Sequence, residues 1–275
     1  MIRLALRVRR EHAELVLAEL LELAPSGVEE VDVGEGVIEY AVYGAPGELP
    51  ALPDLTAAAG GSLVDVATSE VADDWSERWR DFHTPLVLGE RLTVRPPWEP
   101  PASTEIDLVI DPGQAFGTGA HATTRLCLEL MLALAPAQGS FLDLGCGSGV
   151  LAIAAARLGW APVLAVDYDP VAVQATRENA AVNAVSVEAA RIDLRHDPLP
   201  AAETVAANLL APLLLALAPR LPGLQCIREP ARLIASGLLE HEADGIADAF
   251  APAGLVEVRR RSRDGWSALL LERRR

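Results

Sequence analysis

The segment from Phe141 to Ile153, FLDLGCGSGVLAI, constrains this chain more than any other part of it. An apolar run that ends in an acid leads into three glycines at spacing two, Gly145, Gly147 and Gly149, and then into an apolar stretch that favours a helix. Glycine allows positive φ and a close approach of the backbone to a ligand. The pattern therefore predicts a strand, a tight turn and a helix start, with a ligand-binding loop at the end of the strand.

The spacing of these glycines separates two kinds of cofactor. Dinucleotide-binding enzymes use GxGxxG, in which a helix N-terminus meets the pyrophosphate. The GxGxG found here suits an adenosyl cofactor without phosphates better. Glycine-rich turns also serve close packing in many α/β proteins, so the loop alone leaves that alternative open.

Charge and composition limit the function classes. Among 275 residues, 39 are acidic and 23 basic, giving a formal net charge of −16. This balance argues against a protein that holds nucleic acid mainly by neutralising phosphates, and it accommodates a basic protein partner. Solubility alone explains the charge equally well.

Cysteine usage and apolar runs predict the compartment. Cys127, Cys146 and Cys226 are far apart and lack the spacing of metal ligands, so we expect reduced thiols and no metal site. The first ten residues carry too much charge for a secretory signal, and the longest apolar run, Leu209 to Ala218, contains a proline and is too short to span a bilayer. We expect a cytoplasmic monomer.

The N-terminal part predicts a small domain. Its hydrophobic patterns indicate, in order, a strand, a helix, two strands joined as a hairpin at residues 34–36, a short helix and a strand, at residues 2–8, 11–24, 28–33, 36–43, 53–59 and 62–67. This β-α-β-β-α-β order predicts a ferredoxin-like α+β domain over residues 1–67. Residues 71–82 have helical phasing, so we expect a linker helix over 68–84 and a second domain over 85–275.

The second domain begins with two short strands within residues 84–98 and then alternates strands with helices. Strands are predicted at 140–144, 163–167, 185–190, 205–208 and 232–236, and helices at 122–134, 148–158, 170–183, 211–221 and 240–250. This alternation predicts an α/β fold with a parallel sheet. Residues 255–261 and 266–271 indicate a final hairpin, so the last strand is expected to be antiparallel. The arginines of this hairpin, Arg259, Arg260, Arg261 and Arg263, suggest a solvated edge, with a binding patch as the alternative.

Functional side chains are expected at the carboxyl ends of the strands. Asp167 closes VLAVD, 22 residues after Gly145, where an acid accepts hydrogen bonds from ribose hydroxyls. Asp169 is expected to cap the helix that begins near Pro170. Asn208 ends the strand TVAAN, where its amide carbonyl is placed to accept from an amine; a helix-capping role remains the alternative.

The segment from Asp111 to Thr124, DPGQAFGTGAHATT, adds a glycine-rich loop that contains His121. Such a loop is suited to cover a cofactor and exclude water. Thr123 and Thr124 are candidates to cap the helix that follows. A plain connector with a structural histidine is the competing interpretation.

These motifs together resemble the ribosomal protein L11 methyltransferases. The resemblance rests on DPGQAFGTGAHATT, DLGCGSGVLAIAA, VDYDP and ANLLAPLL, in that order, and on DDWSERWRDFHTPLVLGERLTVRPPW before them. It implies a Rossmann-like, seven-stranded methyltransferase sheet and an S-adenosylmethionine-dependent enzyme that methylates lysine side-chain and N-terminal amines of that ribosomal protein, free or on the large subunit. It also implies that the N-terminal domain recognises the substrate and that the linker helix lets it move.

The resemblance also assigns cofactor contacts. The family's contacts fall on Thr124, Gly145, Asp167 and Asn208, and we extend the predicted site to Gly147, His121 and the loop residues Phe116, Gly117 and Thr118. Two departures are modest: Ala122 stands where a proline is common, and NLL replaces NIL. Asp193 occupies a position that holds the adenine amine in many methyltransferases, but that role is not carried over.

The expected mechanism is in-line transfer of the sulfonium methyl group to a neutral amine positioned by Asn208. No strong general base is evident. A nicotinamide-dependent dehydrogenase would require GxGxxG, which is absent. An RNA-binding module would have only Tyr40 and Tyr43 to stack on bases and carries the wrong charge, so no direct nucleic-acid binding is expected. Methylation of another protein amine or amide remains the nearest alternative.

Overall fold

The computed structural model describes residues 2–13, 16–17, 20, 29–34, 36–44, 63–70, 84–111, 121–135, 139–220 and 227–273. The chain forms two compact units, Met1–Phe82 and His83–Arg275. Within the described segments, no helix combines the length and the apolar character that a membrane span requires.

The first unit contains a four-stranded antiparallel sheet. Its strands are β1 (Ile2–Arg9), β2 (Glu29–Gly34), β3 (Val37–Gly44) and β4 (Leu63–Glu70), in the order β2-β3-β1-β4. Successive side chains of a strand point to opposite faces. Leu4 and Leu6 of β1 are therefore buried in a core that also takes in Tyr40, while Arg3 and Arg7 lie on the other face and both donate to Glu39 at 2.7 Å.

The placement of Tyr40 bears on the RNA-binding alternative. Its side chain is 1% exposed, and its hydroxyl donates to the backbone oxygen of Ala13 at 3.0 Å. A ring held in the core presents no face to a nucleic-acid base. Tyr40 is therefore unsuited to the stacking role that this alternative requires.

The structure confirms some of the predictions for the N-terminal unit and contradicts one. The hairpin between β2 and β3 is confirmed, and residues 13, 16, 17 and 20 of the first predicted helix are helical. Strand β4 continues to Glu70, so the predicted start of a linker helix at residue 68 is wrong, because residues 68–70 pair with β1. Residues 53–59 and 71–82 lie outside the described segments. The ferredoxin-like fold and the linker helix stay predictions.

The second unit opens with a small sheet of three strands, β5 (Leu86–Leu88), β6 (Leu92–Arg95) and β7 (Ile106–Val109). The predicted pair is present as the antiparallel strands β5 and β6. Strand β7, which was not predicted, pairs in parallel with β6, and Arg95 joins them through hydrogen bonds of 2.8 to 3.0 Å to Asp107.

The main sheet of this unit has seven strands, in the order β10-β9-β8-β11-β12-β14-β13. Their bounds are β8 (Phe141–Leu144), β9 (Val163–Asp167), β10 (Glu188–Arg191), β11 (Ala202–Asn208), β12 (Ile227–Leu239), β13 (Leu255–Arg263) and β14 (Trp266–Arg273). Strand β14 is antiparallel to both of its neighbours, and the other pairings are parallel. The predicted strand–helix alternation and the antiparallel last strand are confirmed.

Helices cover both faces of this sheet. They are α1 (Ala122–Leu134), α2 (Val150–Leu158), α3 (Pro170–Val182), α4 (Ala211–Leu217) and α5 (Ala243–Phe250). Phe141 packs in the core formed with α1, α2 and α3, whereas Leu142 and Leu144 pack in the core formed with α4 and α5. Since side chains alternate along a strand, Asp143 shares the face of Phe141, towards α2.

The arginines of β13 lie on an edge strand. Arg259, Arg261 and Arg263 are exposed, and Arg260 forms ion pairs of 2.7 Å with Asp244 and with a carboxylate three residues earlier on its own strand. Charged side chains along a sheet edge hinder pairing with other chains. The arrangement agrees with the solvated edge that the sequence predicts.

Candidate functional site

Three of the predicted site residues lie at one edge of the main sheet. Asp167 ends β9, Gly145 follows β8 and Asn208 ends β11, and these strands are neighbours in the order β9-β8-β11. Parallel strands place their carboxyl ends at the same edge, where ligands of open α/β sheets bind. The backbone N–H groups of Gly145 and Cys146 both donate to Val166 O, at 2.8 and 3.0 Å, and tie the loop to β9.

The glycine loop, residues 145–149, has the backbone that its sequence predicts. Gly145 has φ +74° and Gly149 has φ +81°, a region that side chains with a Cβ rarely adopt. A Cβ on Gly145 would lie 2.5 Å from Leu209 Cδ2, and one on Gly149 would lie 2.8 Å from Thr176 Cγ2. The positive φ favours glycine at both positions, and at Gly149 the close contact includes Thr176 Cα, a backbone atom 3.0 Å away that cannot move alone.

Asp167 is held in place by two backbone donors. Gly147 N donates to its Oδ2 and Asp169 N to its Oδ1, each at 3.0 Å, and the side chain is buried. A carboxylate oxygen has two lone pairs, so each oxygen keeps capacity to accept one more hydrogen bond. Asp167 is thus oriented to accept from a pair of hydroxyls. The predicted cap is also confirmed, since Asp169 Oδ1 accepts from Val171 N at 2.8 Å at the start of α3.

Asp143 has a role that the sequence did not suggest. Helix α2 begins after Gly149, which has no side chain to cap it, and Asp143 Oδ2 instead accepts from Ala152 N at 3.1 Å. Burial raises the pKa of Asp143 from 3.8 to about 7, and the nearby charge of Asp167 adds to this rise. The acid that precedes the glycine loop therefore holds the helix behind it.

His121 caps α1. Its Nδ1 accepts from Thr123 N at 3.3 Å and lies 2.8 Å from Thr123 Oγ1. The expectation that Thr123 and Thr124 cap this helix is wrong, because both lie inside its first turn. The His121 ring also meets Trp266 edge-on, with centroids 5.0 Å apart. Burial lowers the pKa of His121, so the neutral ring is favoured.

Thr124 presents an unusual hydroxyl. Its Oγ1 is buried and has no hydrogen-bond partner among the residues that the structure describes. A buried polar group without a partner costs about 1–3 kcal/mol, and such groups are rare unless a ligand or water completes them. Thr124 was predicted as a cofactor contact, and an uncompensated hydroxyl suits that role.

Asn208 does not cap the helix that follows. The cap position of α4 is Leu210, which makes no side-chain capping bond, so the capping alternative for Asn208 is wrong. The chain just after Asn208 is fixed, because Leu209 N donates to Ser236 O at 2.9 Å and a Cβ on Gly237 would lie only 2.4 Å from Leu209 O. The half-buried amide of Asn208 is thus presented from a rigid backbone.

Helix α3 supplies a further contact to the glycine loop that the sequence did not reveal. Thr176 Oγ1 lies 3.0 Å from Gly147 O and 3.2 Å from Cys146 Sγ. Burial raises the pKa of the Cys146 thiol, which therefore stays neutral. The sequence gives little indication of this contact, since a threonine in a helix is common. The contact of Thr176 with the loop arises only because α3 packs against the loop.

Phe116, Gly117 and Thr118 lie outside the described segments. Asp193 uses its carboxylate locally, because its Oδ1 accepts from Arg195 N at 2.8 Å and its Oδ2 lies 3.0 Å from His196 Nδ1. The carboxylate of Asp193 is therefore engaged within its own turn. Across the described segments, no group of three or more His, Cys, Asp or Glu side chains could hold a metal ion.

The residues at this edge fit an adenosyl cofactor. The glycine loop has the positive φ angles that such loops require, Asp167 offers oriented acceptors for ribose hydroxyls, and Thr124 has a buried hydroxyl that needs a partner. A carboxylate beside a ribose also disfavours a 2′-phosphate. The site is thus suited to a ribose without a 2′-phosphate.

Comparison with known proteins agrees with an adenosyl cofactor at this site. The model of the family described as ribosomal protein L11 methyltransferase (PrmA) matches residues 53–274. A ribosomal protein L11 methyltransferase of Bordetella bronchiseptica is 38% identical over 307 aligned residues, which cover 97% of each chain. The homologue of Symbiobacterium thermophilum is also 38% identical, over 72% of this chain and 65% of its own length, slightly under two thirds.

A solved structure agrees with these sequence matches. The crystal structure of a ribosomal protein L11 methylase from Lactobacillus delbrueckii subsp. bulgaricus is 29% identical to this chain, with a TM-score of 0.63. The match covers 70% of this chain and 99% of the Lactobacillus chain. The similarity therefore extends from sequence motifs to the three-dimensional fold.

Proposed function

This chain belongs to the ribosomal protein L11 methyltransferase family, and from that membership we propose that it methylates amino groups of ribosomal protein L11 with S-adenosylmethionine. The acceptors are lysine side chains and the N-terminal amine. The observation that carries the proposal is the family match over residues 53–274, which includes every described residue of the site.

The cofactor is held at the carboxyl edge of the main sheet. Asp167 accepts the ribose hydroxyls, because two backbone N–H groups already orient its carboxylate. Gly145 and Gly147 let the backbone lie close beneath the ligand, and the cofactor gives the buried hydroxyl of Thr124 a partner. His121, Asn208 and the loop residues 116–118 complete the proposed set of contacts.

The chemistry requires little from the protein beyond alignment and exclusion of water. When bound, S-adenosylmethionine supplies a methyl group already activated by positively charged sulfur. The amide oxygen of Asn208 accepts a hydrogen bond from the acceptor amine and thereby points the lone pair of the amine nitrogen towards that methyl group. The rigid backbone after Asn208 keeps this amide in place, because Leu209 N is bonded to Ser236 O.

The acceptor amine must lose a proton before transfer. Lysine has a reference pKa of about 10.4, and desolvation beside a cation lowers it. His121 is poorly suited to remove that proton, since its Nδ1 accepts from Thr123 N and the neutral ring then carries its proton on Nε2. We propose that this environment lowers the pKa of the acceptor amine, that the amine gives its proton to solvent water before transfer, and that His121 has no base role.

The N-terminal unit recognises the substrate in this proposal. Its role follows the family resemblance, and the excess of acidic residues in the chain suits a basic protein partner. We further propose that the enzyme acts in the cytoplasm as a monomer, on free or ribosome-bound L11, without direct contact to nucleic acid. The buried Tyr40 supports the last point, because its ring is unavailable for stacking.

The test of this function is transfer of a labelled methyl group to three substrates: purified L11, assembled large subunits and a mixed pool of ribosomal proteins. The proposal predicts label on L11 in the purified sample and on the band of the same mass in the pool. Strong labelling of a different protein would replace L11 as the substrate while leaving the methyltransferase assignment intact. Comparing free L11 with subunits decides which form is preferred.

A further inference from the structure

A row of buried polar side chains runs along one face of α3. Thr176 and Asn179 of α3 and Asn183, the C-cap residue just after it, lie three and then four residues apart, which places them on one side of the helix, and all three are buried. Buried amides are almost always hydrogen-bonded, because an unpaired one is costly. The hydrogen-bond partners of these side chains therefore show which neighbouring segments they fix to α3.

Asn183 fastens the end of β7 to α3. Its Oδ1 accepts from Val109 N at 2.9 Å, and its Nδ2 donates to Val109 O at 2.6 Å. An amide that pairs with both backbone groups of one residue acts like a neighbouring strand. A third contact, from Nδ2 to Asn179 O at 2.8 Å, stays within α3.

Asn179 repeats this arrangement one turn earlier, with one difference. Its Oδ1 accepts from Asp111 N at 2.9 Å, and its Nδ2 lies 3.2 Å from Asp111 O. The third contact leaves the helix, since Nδ2 donates to Ser148 O at 2.9 Å. Ser148 lies inside the glycine loop. Asn179 thus joins the chain after β7 to the loop that is proposed to lie beneath the cofactor.

The loop gains more from such a contact than an ordinary segment would. Glycine has the largest conformational freedom of any residue, so a loop with three glycines has many alternative backbones to lose on binding. Thr176 at Gly147 O and Asn179 at Ser148 O hold two successive carbonyls. A loop fixed before the ligand arrives binds more tightly, because less ordering remains to be done.

We propose that Asn179 is a positioning residue for the cofactor, which holds the glycine loop in its binding conformation through the carbonyl of Ser148. The inference rests on the proposed function, since it concerns the same cofactor site. Asn183 supplies a control: it is the C-cap residue of α3, is also buried and makes three side-chain contacts to described residues, none of which belongs to the glycine loop.

The experiment compares Asn179→Ala with Asn183→Ala in the full chain. Each variant loses three contacts, so both should lower the melting temperature to a similar extent. Asn179→Ala should raise the Kd for S-adenosylmethionine about tenfold in calorimetry, the effect of one buried hydrogen bond, and Asn183→Ala less than about twofold. The KM for S-adenosylmethionine should rise with the Kd, while kcat at saturating cofactor stays similar. A purely structural loss would instead lower the active fraction of the enzyme and hence kcat.

A second measurement follows the loop itself. The amide of Gly149 donates to Cys146 O at 2.8 Å, and its hydrogen exchange should accelerate in Asn179→Ala but not in Asn183→Ala. Should either alanine variant fail to fold, Asn179→Asp and Asn183→Asp keep the side-chain volume and remove the donated bonds, and the same difference is expected. Equal cofactor affinity in both members of the pair would overturn the positioning role. Absence of cofactor binding by the unaltered protein would overturn the proposed function as well.

Discussion

Asp143 Oδ2 accepts a hydrogen bond from Ala152 N at 3.1 Å, so a strand residue caps the helix on the far side of the glycine loop. A side-chain cap at the N-cap position is impossible there, because Gly149 occupies it. The loop can therefore have glycine at its end, next to the helix, while the helix still has a side-chain cap. The acid before the loop and the glycines within it thus act as one unit.

The buried carboxyl of Asp143 makes stability depend on pH. Its pKa rises from 3.8 to about 7 through burial, so the folded state binds this proton more tightly than the unfolded chain. The resulting stability is present below pH 3.8 and is lost as the pH rises through about 7, by up to about 4 kcal/mol. The Asp143→Asn variant has no titrating group at this position, so its stability relative to the unaltered protein should increase between pH 4 and pH 8 in urea unfolding. A difference that is constant with pH would contradict the raised pKa.

Asp167 and Asp169 should separate cofactor binding from helix capping. Asp167→Ala removes the oriented carboxylate and should weaken S-adenosylmethionine binding by about 1–3 kcal/mol in calorimetry. Asp169→Ala removes only the cap of α3, with an expected loss of about 0.5–2 kcal/mol in stability and unchanged cofactor affinity. Equal affinity in the Asp167 variant and the unaltered protein would remove Asp167 from the site.

His121 should make α1 sensitive to acid. Burial lowers the pKa of His121 from 6.5, so below that pH the unfolded chain takes up a proton more readily than the folded protein. The stability that neutral His121 contributes is present above pH 6.5 and is lost as the pH falls through the lower pKa of the folded state. Asparagine is a good helix cap and does not titrate. Unfolding of His121→Asn at pH 7.5 and pH 5.5 should show a smaller loss of stability in acid than the unaltered protein; an equal loss in both would refute the assignment.

Gly237 should control the backbone that presents Asn208. Gly237 has φ +86°, and a Cβ there would lie 2.4 Å from Leu209 O, a backbone atom that cannot move alone. Gly237→Ala should therefore cost more than about 1 kcal/mol in stability and lower kcat, since it displaces the residue next to Asn208. Gly245 of α5 has no described atom within 4 Å of its Cβ position, and Gly245→Ala should instead stabilise by about 0.5–1 kcal/mol. Normal kcat in the Gly237 variant would mean that this contact does not position Asn208.

Much of the second unit could be predicted from local patterns. Helix α1 has the predicted bounds, and β9 ends at Asp167 as expected, because apolar periodicity and the acid at the strand end are local signals. Helix α4 is shorter than predicted, ending at Leu217, and Pro219 lies two residues beyond that end. Strand β12 is longer, Ile227–Leu239, because β11 pairs with it from Ile227 to Ser236 and β14 pairs with it beyond Gly237 as far as Leu239.

The parts that were missed depend on distant partners. Strand β7 has only four residues and forms through parallel pairing with β6, which no local pattern indicates. His121 displaced the threonines as the cap of α1, because its ring nitrogen reaches Thr123 N. In the sequence Asn179 is an ordinary helix residue. Its role depends on hydrogen bonds to Asp111 and Ser148, which are distant in sequence.

The most direct test of the proposed function measures where labelled methyl groups go on purified L11. All 23 basic side chains of this enzyme are arginine, so it has no lysine to label and the background from self-methylation is confined to its N-terminus. Native L11 should incorporate label, L11 with its amines acetylated beforehand should not, and Asp167→Ala should lower the rate at limiting S-adenosylmethionine. Equal labelling of native and acetylated L11, or none on either, would contradict amine methylation of L11 by this enzyme.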